Sequence, residues 1–531
     1  MPITTSYQQS KISLVNDYTM CHRISKNQKI LIKQFVIAGY LQESKLTTST
    51  DKSLTCNPCT LTQRLLPTSA LVSTSNEKVL KPYWTESCKV ISSLLWLPTK
   101  TDLLDLDSNS SNTLLPKTVD KSWFSTTITQ VNKTNSQPIF SQYYTSSHVE
   151  CMDLESTIIK SKKIYLNPTK QQKKILTIWG GTSRFVYNRT IDYINSCDKS
   201  TKLPRWDLIF KEINLVLPEW TKDVPYQIKK IACKDAVSVF FMTIRNLKKG
   251  NIKHFKLQYR TKKDIKTTIY IPKDAVKLNG IYYTILGKTK YNEKLPIINY
   301  DCRLVEMYGD YYLCVPEKTT KAIRVDNQDQ SIKAVAIDLG VRSFVNFYTE
   351  KSVGKIGIGA GNKIYEILLR ANDVIKDIAG CKTFKQRHRK RKLKTVLNRL
   401  KAKVRHLIDE LHKKTAKYLT DNFNLIILPK FNVIDMIDVD NRKIGKKTVR
   451  SMLSYRFYDF RMYMRIKCKE LGIELVEIGE EYTTKTISWT GEIREGVGGS
   501  KWVSSGDIIM DRDYNGARGI YIKAIKELSL K

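Results

Sequence analysis

From about residue 160 onward the chain alternates between two hydrophobic rhythms. KKIYLNPTKQQKKILTIWGGTSRFVYNRTIDYI (162–194) opens as a short strand, turns at Pro168 and continues with helical spacing. Over 222–248, Ile228, Ile231, Ala232, Ala236, Val239 and Phe240 recur on one face of a helix. Residues 265–318 carry strand signals in TTIYIP, IYYTIL and YYLCVP, which predicts a small β-barrel or sheet around a helical insertion. SIKAVAIDLGVRSFVNFYTE (331–350) reads as a hairpin whose first strand ends at Asp338 and turns at Gly340, and VGKIGIG adds a third strand. A long helical stretch over 362–421 precedes a buried-strand run, LIILP (425–429). A helix over 447–471, a strand in IELVEIGEE (473–481) and a loop-to-helix segment, MDRDYNGARGIYIKAIKELSL, complete the pattern. Strands followed by helices predict an α/β sheet. Side chains at the ends of such strands share one crevice.

The first 155 residues follow neither rhythm. They are rich in Ser, Thr and Asn, broken by apolar islands at SSLLWLPTKTD (92–102) and KSWFS (121–125). The islands predict partial order or docking onto another surface, and the gaps read as flexible. Cys56-Asn-Pro-Cys59 is a lone CxxC with no second pair nearby, so it reads as free thiols beside a Pro turn before it reads as half a zinc site.

Charge sets the class of partner. Among 531 residues, Lys and Arg number 90 against 51 Asp and Glu, a formal charge of +39. A hydrophobic fraction of 41% is enough for packed cores, so this is not a disordered polycation. The excess is spread along the chain and points to nucleic acid. No apolar run is long enough to span a membrane. The first 30 residues lack an apolar signal core, and the 11 cysteines are scattered, which together predict an intracellular protein.

In so basic a chain, acids at strand ends stand out. Asp338 ends AVAID, Glu480 and Glu481 end ELVEIG, and Asp511 and Asp513 precede the last helix. Metal-assisted phosphodiester cleavage uses carboxylates that hold two divalent ions about 3.5–4 Å apart, and hard ions such as Mg²⁺ take oxygen ligands. Taken singly, Asp338 reads as a turn residue and DRD as a solvated loop or helix cap. The ordered set is what points to a site. KTFKQRHRKRKLKTVLNRLKAKVRHL (382–407) contains no acid. Like charges at helical spacing repel, so Arg387, Arg389, Lys390, Arg391 and Lys392 predict a helix lying along phosphates, docked by Leu393, Val396, Leu397, Leu400 and Val404. Arg184, Phe185 and Tyr187 serve equally well as base-stacking residues or as core. Arg512, between two acids, suits a phosphate contact.

The ordered motifs over roughly residues 160–531 resemble the TnpB family of transposon-encoded, RNA-guided DNA nucleases, and more narrowly its eukaryotic and viral relatives, the Fanzor proteins. The resemblance is carried by KIYLNPTKQQKKILTIWGGTSRFVYN, by LPEWTKDVPYQIKKIACKDA with GNIKHFKLQYRTKKD, by AIDLGVRSF, by YTTKT and by DRDYNGARGI. It implies an RNase H-like (RuvC) nuclease domain at 331–482 and 507–531, a wedge-like β domain at 156–170 and 255–325, and a helical recognition insertion at 171–254. It further implies catalysis by Asp338, Glu480 and Asp513 through two Mg²⁺, a guide RNA from the transposon end and a double-stranded DNA target. The compartment implied is a nucleus or viral factory, or otherwise the cytoplasm.

Two departures accompany the resemblance. Pro429 stands where the bacterial pattern has its second-motif Glu, and GEEYTTKT supplies a replacement, assigned to Glu480 over its neighbour because adjacent strand residues face opposite ways. The family's two Cys-x-x-Cys pairs are replaced around Ile487 and Thr490 and around Trp502 and Ser505, so the insert at 483–506 is a degenerate ribbon that binds no zinc through thiolate. These departures keep two other readings open: a relative that binds RNA or DNA without cutting, and a transposase that performs strand transfer.

Overall fold

The computed structural model describes residues 83–100, 123–130, 157–197, 203–320, 332–430, 433, 444–479, 481–494 and 500–529. The elements used below are, in chain order, α1 (Glu86–Leu94), β1 (Ser125–Gln130), β2 (Thr157–Asn167), α2 (Lys170–Ser196), α3 (Trp206–Leu215), α4 (Tyr226–Lys248), β3 (Lys266–Ile271), β4 (Cys302–Met307), β5 (Asp310–Thr320), β6 (Ala334–Leu339), β7 (Val345–Tyr348), β8 (Ser352–Ile358), α5 (Ala360–Gly380), α6 (Arg387–Asn422), β9 (Leu425–Pro429), α7 (Lys446–Tyr455), α8 (Phe457–Leu471), β10 (Glu474–Ile478), β11 (Trp502–Ser505), β12 (Ile508–Asp511) and α9 (Arg512–Ser529). The described residues fall into two compact units, one drawn from Pro168–Thr289 and the other from Glu77–Asn167 with Lys290–Lys531.

The smaller unit is built on α2. Thr169 caps this helix: its hydroxyl accepts from the Gln172 amide at 3.3 Å while the Gln172 side chain accepts from the Thr169 amide at 2.8 Å. Val186, Ile191 and Ile194 of α2 pack with Ile209 and Phe210 of α3 and with Ala232, Cys233, Ala236 and Val237 of α4. The buried face of α4 is thus rotated from the expected one, and Val239 is exposed. Residues 255–289 join this helical unit, where the sequence reading put them with the β domain. IYYTIL, expected as a strand, is a two-residue strand followed by a helical turn at Tyr283–Leu286, entered through Tyr282 at φ 45°.

Besides the β11–β12 hairpin, two sheets make up most of the larger unit's strands. In one, β4, β5 and β2 pair antiparallel in that order, and the short strand Lys290–Tyr291 continues the ladder beside β2. Asn167 and Lys290, on either side of the helical segment in the chain, are register partners in it. The paired strands form a sheet, one of the two forms that the sequence allowed. The second sheet has the order β1-β8-β7-β6-β9-β10. Its first four strands are antiparallel, and β9 runs parallel to both β6 and β10.

Strand periodicity sorts this sheet's faces. Val335, Ile337 and Leu339 point into a core with Ile408, Leu411, Tyr455 and Phe460 from α6, α7 and α8. Ala334 and Ala336 point into the opposite core, with Tyr514, Ala517 and Tyr521 of α9 and with Tyr83, Trp84, Cys88, Ile91 and Leu95. The last five belong to the stretch read as an N-terminal extension, and so does β1, which adds the sixth strand. Both lie in the core of the larger unit. The helical run 362–421 breaks at 381–386 into α5 and α6. The run 447–471 breaks at Arg456, which adopts φ 54° while its guanidinium reaches Asp409 at 2.7 Å and also binds Asp459.

Candidate active site

Asp338 sits at the C-terminal end of β6 on the face covered by α9. The register sets a row across three strands: Asp338 opposite Asn346 on β7, and Asn346 opposite Lys355 on β8. Asn346 is buried, with its side-chain oxygen held by the Ser343 hydroxyl. Over this row lies the start of α9. Its Gly516 has room for nothing more, since an added Cβ would come to 2.9 Å from Asp338 Oδ2. Asp513 is three residues earlier on the same helix, hence one turn away on the same side. The structure therefore brings Asp338 together with the helical turn that carries Asp513.

Electrostatics at this turn are dominated by a lysine that the sequence reading did not select. Lys355 Nζ lies 2.6 Å from Asp511 Oδ2 and 3.7 Å from Asp513 Oδ2, and 4.8 Å from the Tyr514 ring centre. Asp511 is buried at 4% exposure, and its other oxygen accepts from the Asp513 amide at 2.9 Å, capping α9. The Arg512 guanidinium lies 3.6 Å from Asp513 Oδ1, so the residue expected on phosphate is engaged with an acid within the protein. The signal for Lys355 was its place in the alternating run SVGKIGIG, where a cation on a core-facing position demands a carboxylate partner.

The parallel register explains the second-motif departure. Ile427 on β9 is level with Ala336 on β6 and with Val476 on β10. The ladder with β6 ends at that pair; continued by two residues it would set Pro429 beside Asp338, and Pro429 pairs with Ile478, the last residue of β10. The strand position beside Asp338 thus offers no donor. Glu480 lies outside the described residues. Its neighbour Glu481 is exposed and pairs with Lys523 at 3.3 Å; its own backbone amide and then Lys523 hold its carboxyl below the usual range. Among the described residues no group of three or more acidic, His or Cys side chains converges as a metal cage. Asp338 and Asp513 supply the carboxylate oxygens that a hard divalent ion prefers.

The insert without cysteines is held by side chains. Asn515 of α9 accepts from the Ser488 amide at 2.8 Å and donates to Thr486 O at 2.9 Å. Gly491 turns at φ 76° with no room for a Cβ because the Trp84 indole lies on it. Ile487 is buried, and β11 and β12 form a hairpin from Trp502 to Asp511. Arg518, fully buried, ties these parts together. Its Nε donates to Trp96 O at 3.1 Å, and its Nη2 to Ser92 O at 2.6 Å and Leu95 O at 3.1 Å. Its Nη1 donates to Ser92 Oγ at 3.1 Å and to Ser488 O. Trp489 packs at the edge of the α9 core, and Trp502 is flanked by Lys100 and Lys501. Cys56 and Cys59 lie outside the described residues.

The basic and aromatic candidates separate. Arg387, Arg389, Arg391 and Lys392 are exposed on α6, and Lys390 donates to Cys381 O at 3.0 Å. The docking stripe is shallower than expected: Val404 is buried, Leu393, Leu397 and Leu400 are half-buried, and Val396 is exposed. Phe185 meets Trp220 edge-on and Arg184 lines a cavity. Tyr187 is buried in the smaller unit's core beneath Arg260, so its role is packing and not base stacking. Among the described residues no helix is long and apolar enough to cross a membrane.

The fold and site are those of an α/β protein with acidic residues gathered at strand ends beneath a C-terminal helix. Three family models match: "Helix-turn-helix domain" over 156–197, "Probable transposase" over 313–440 and "Cas12f1-like, TNB domain" over 457–520. In the described residues the first match spans β2 and α2, a strand and one long helix. A Paramecium bursaria Chlorella virus 1 protein named for a transposase is 30% identical over 69% of this chain and 87% of its own. A TnpB-like protein of Acanthamoeba polyphaga mimivirus is 26% identical over 69% of this chain and 74% of its own. The chain belongs to the TnpB-like, transposase-associated family. Among solved structures, the chain aligns with a Cas12f1–sgRNA–target DNA complex over 69% of its length and 99% of that chain, at 12% identity and a TM-score of 0.38.

Proposed function

We propose that this protein is an RNA-guided DNA endonuclease of the TnpB type, with an RNase H-like nuclease domain and a guide RNA transcribed from its own transposon end. The observation that carries the reading is the approach of Asp338 on β6 to Gly516, one turn from Asp513 on α9. Family membership supports it, and so does the charge of +39, which suits a protein that holds nucleic acid by its phosphates.

Asp338, Asp513 and Glu480 are the residues that would hold Mg²⁺, which supplies Lewis acidity toward a scissile phosphate and a water of lowered pKa. Asp511 orients the first turn of α9 through the Asp513 amide. Lys355 offsets the charge of Asp511 and Asp513, keeping buried like charges tolerable. Exposed cations on α6 would track a backbone, and sequence would be read by base pairing to the guide. A nuclear or viral-factory location follows from this role.

Purified protein with its transposon-end RNA and Mg²⁺ should cut matched double-stranded DNA, and Asp338→Ala, Glu480→Ala and Asp513→Ala should each abolish cutting. Equal cutting by all four proteins would remove these residues from the mechanism. A second reading, binding without cutting, is favoured by Pro429 at the C-terminal end of β9, a residue that cannot ligate a metal. Retained binding of RNA and DNA by a protein that never cuts would support it.

A further inference from the structure

We infer that a cavity in the smaller unit is a built seat for one phosphate group of a nucleic-acid strand. This deepens the nucleic-acid reading above and rests on it. The cavity has a volume of about 240 Å³ and is lined by Ser183, Arg184, Arg260, Asp264, Lys266 and Thr268, among others.

Its walls follow from the sequence. Gly180 has no Cβ, and one placed there would meet Thr267 Cγ2 at 2.9 Å, so β3 lies close along α2. Ser183, Arg184, Tyr187 and Asn188 stand on successive turns of α2. Asn188 grips the backbone of Arg260 from both sides, accepting from its amide at 2.8 Å and donating to its carbonyl at 2.9 Å. The Arg260 guanidinium then lies 3.7 Å from the buried Tyr187 ring centre. This fixes the fork before any ligand arrives, so little side-chain entropy is left to lose. Asp264, at the rim, is held by Thr261, which donates its amide at 2.8 Å and its hydroxyl at 2.6 Å.

The charge suits the ligand. Arg184, Arg260 and Lys266 against Asp264 leave two positive charges, enough for an internal phosphodiester at −1 or a terminal phosphate at nearly −2. Two guanidinium groups supply planar donor pairs for phosphate oxygens. Thr267, Thr268 and Ser183 add hydroxyls, and no aromatic face lines the cavity for a base.

The test is fluorescence anisotropy with the full chain and a 20-nucleotide single strand, as RNA and as DNA, with 5′-hydroxyl or 5′-phosphate, across a KCl series. Arg184→Gln and Arg260→Gln should each weaken binding about tenfold and lower the salt slope by about 0.7, the release from one single-strand phosphate. Because both arginines serve one phosphate, the double variant should also lose about 0.7, not twice that. Arg260→Lys should restore the slope but not the full affinity. Loss confined to the 5′-phosphate strands assigns the seat to a strand end; equal loss on all strands assigns it to the backbone. Additive slope losses, or unchanged binding by the double variant, would overturn the seat while leaving the nucleic-acid reading intact. If the wild-type chain binds neither strand, both fall. A melting temperature measured for each variant separates misfolding from lost contact, and Arg184→Gln, on the helix surface, carries the test if Arg260→Gln unfolds.

Discussion

Arg518→Met would separate the N-terminal segment from the core. The arginine is fully buried and donates to the carbonyls of Ser92, Leu95, Trp96 and Ser488. Three of these acceptors have another donor: Ser92 takes the Leu95 amide, Trp96 the Tyr348 hydroxyl and Ser488 the Ser92 hydroxyl. Their losses are therefore partial, on the order of 0.5–1 kcal/mol each, and the Leu95 carbonyl adds about 1–3 kcal/mol when its charged donor goes. Removing a buried charge returns part of this. The net cost of holding α1 in place is then about 3 kcal/mol, which raises the detached population roughly 100-fold. Trypsin reads that population directly, because Lys89 lies within α1 and is cut only when the helix opens. The fragment beginning at Val90 should appear about 100 times faster in Arg518→Met than in wild type under conditions where opening is fast. A rate within threefold of wild type would refute the role given to Arg518.

Burial drives the His412 pKa down from 6.5 to about 4. The unfolded chain therefore binds the extra proton first, and stability falls as pH drops from 6.5 toward 4, by up to about 3 kcal/mol. Chemical denaturation of His412→Gln, which can still donate to the Tyr455 carbonyl, should lose most of that slope between pH 6.5 and 5, above the range where carboxylates titrate. Gly491→Ala should destabilise by about 2–4 kcal/mol through its left-handed backbone and the Trp84 overlap, with Trp84→Ala in the same chain recovering part of the loss in thermal melts. Lys355→Met leaves Asp511 buried without its cation and should cost about 3 kcal/mol in EDTA. Millimolar MgCl₂ should then raise its melting temperature more than that of wild type, and an equal rise in both would argue against a cation site at these carboxylates.

Much of the larger unit's core was legible because period-2 and helical spacing are local signals. LIILP and AVAIDL lie where the pattern puts strands, and the DRD segment opens the last helix. What was not legible depends on partners distant in sequence. Arg456 breaks a continuous helical pattern because Asp409 and Asp459 meet it there. Tyr187 reads equally as stacking or core until the packing of α2 on α3 and α4 buries it with Arg260 over its ring. Lys355 looks like one cation among many until the sheet sets it level with Asn346 and Asp338. Trp84, in the stretch read as an extension and outside both apolar islands, had no address in the sequence, since its site is formed by residues some 400 positions later in the chain, such as Gly491.

Asn167 and Lys290 face each other across one antiparallel ladder, although the whole helical unit is spelled between them. Entry and exit of that segment are thus separated by a single strand spacing. Insertions and deletions within its helices would then leave the two ladder strands, and the separate sheet that bears Asp338, where they are.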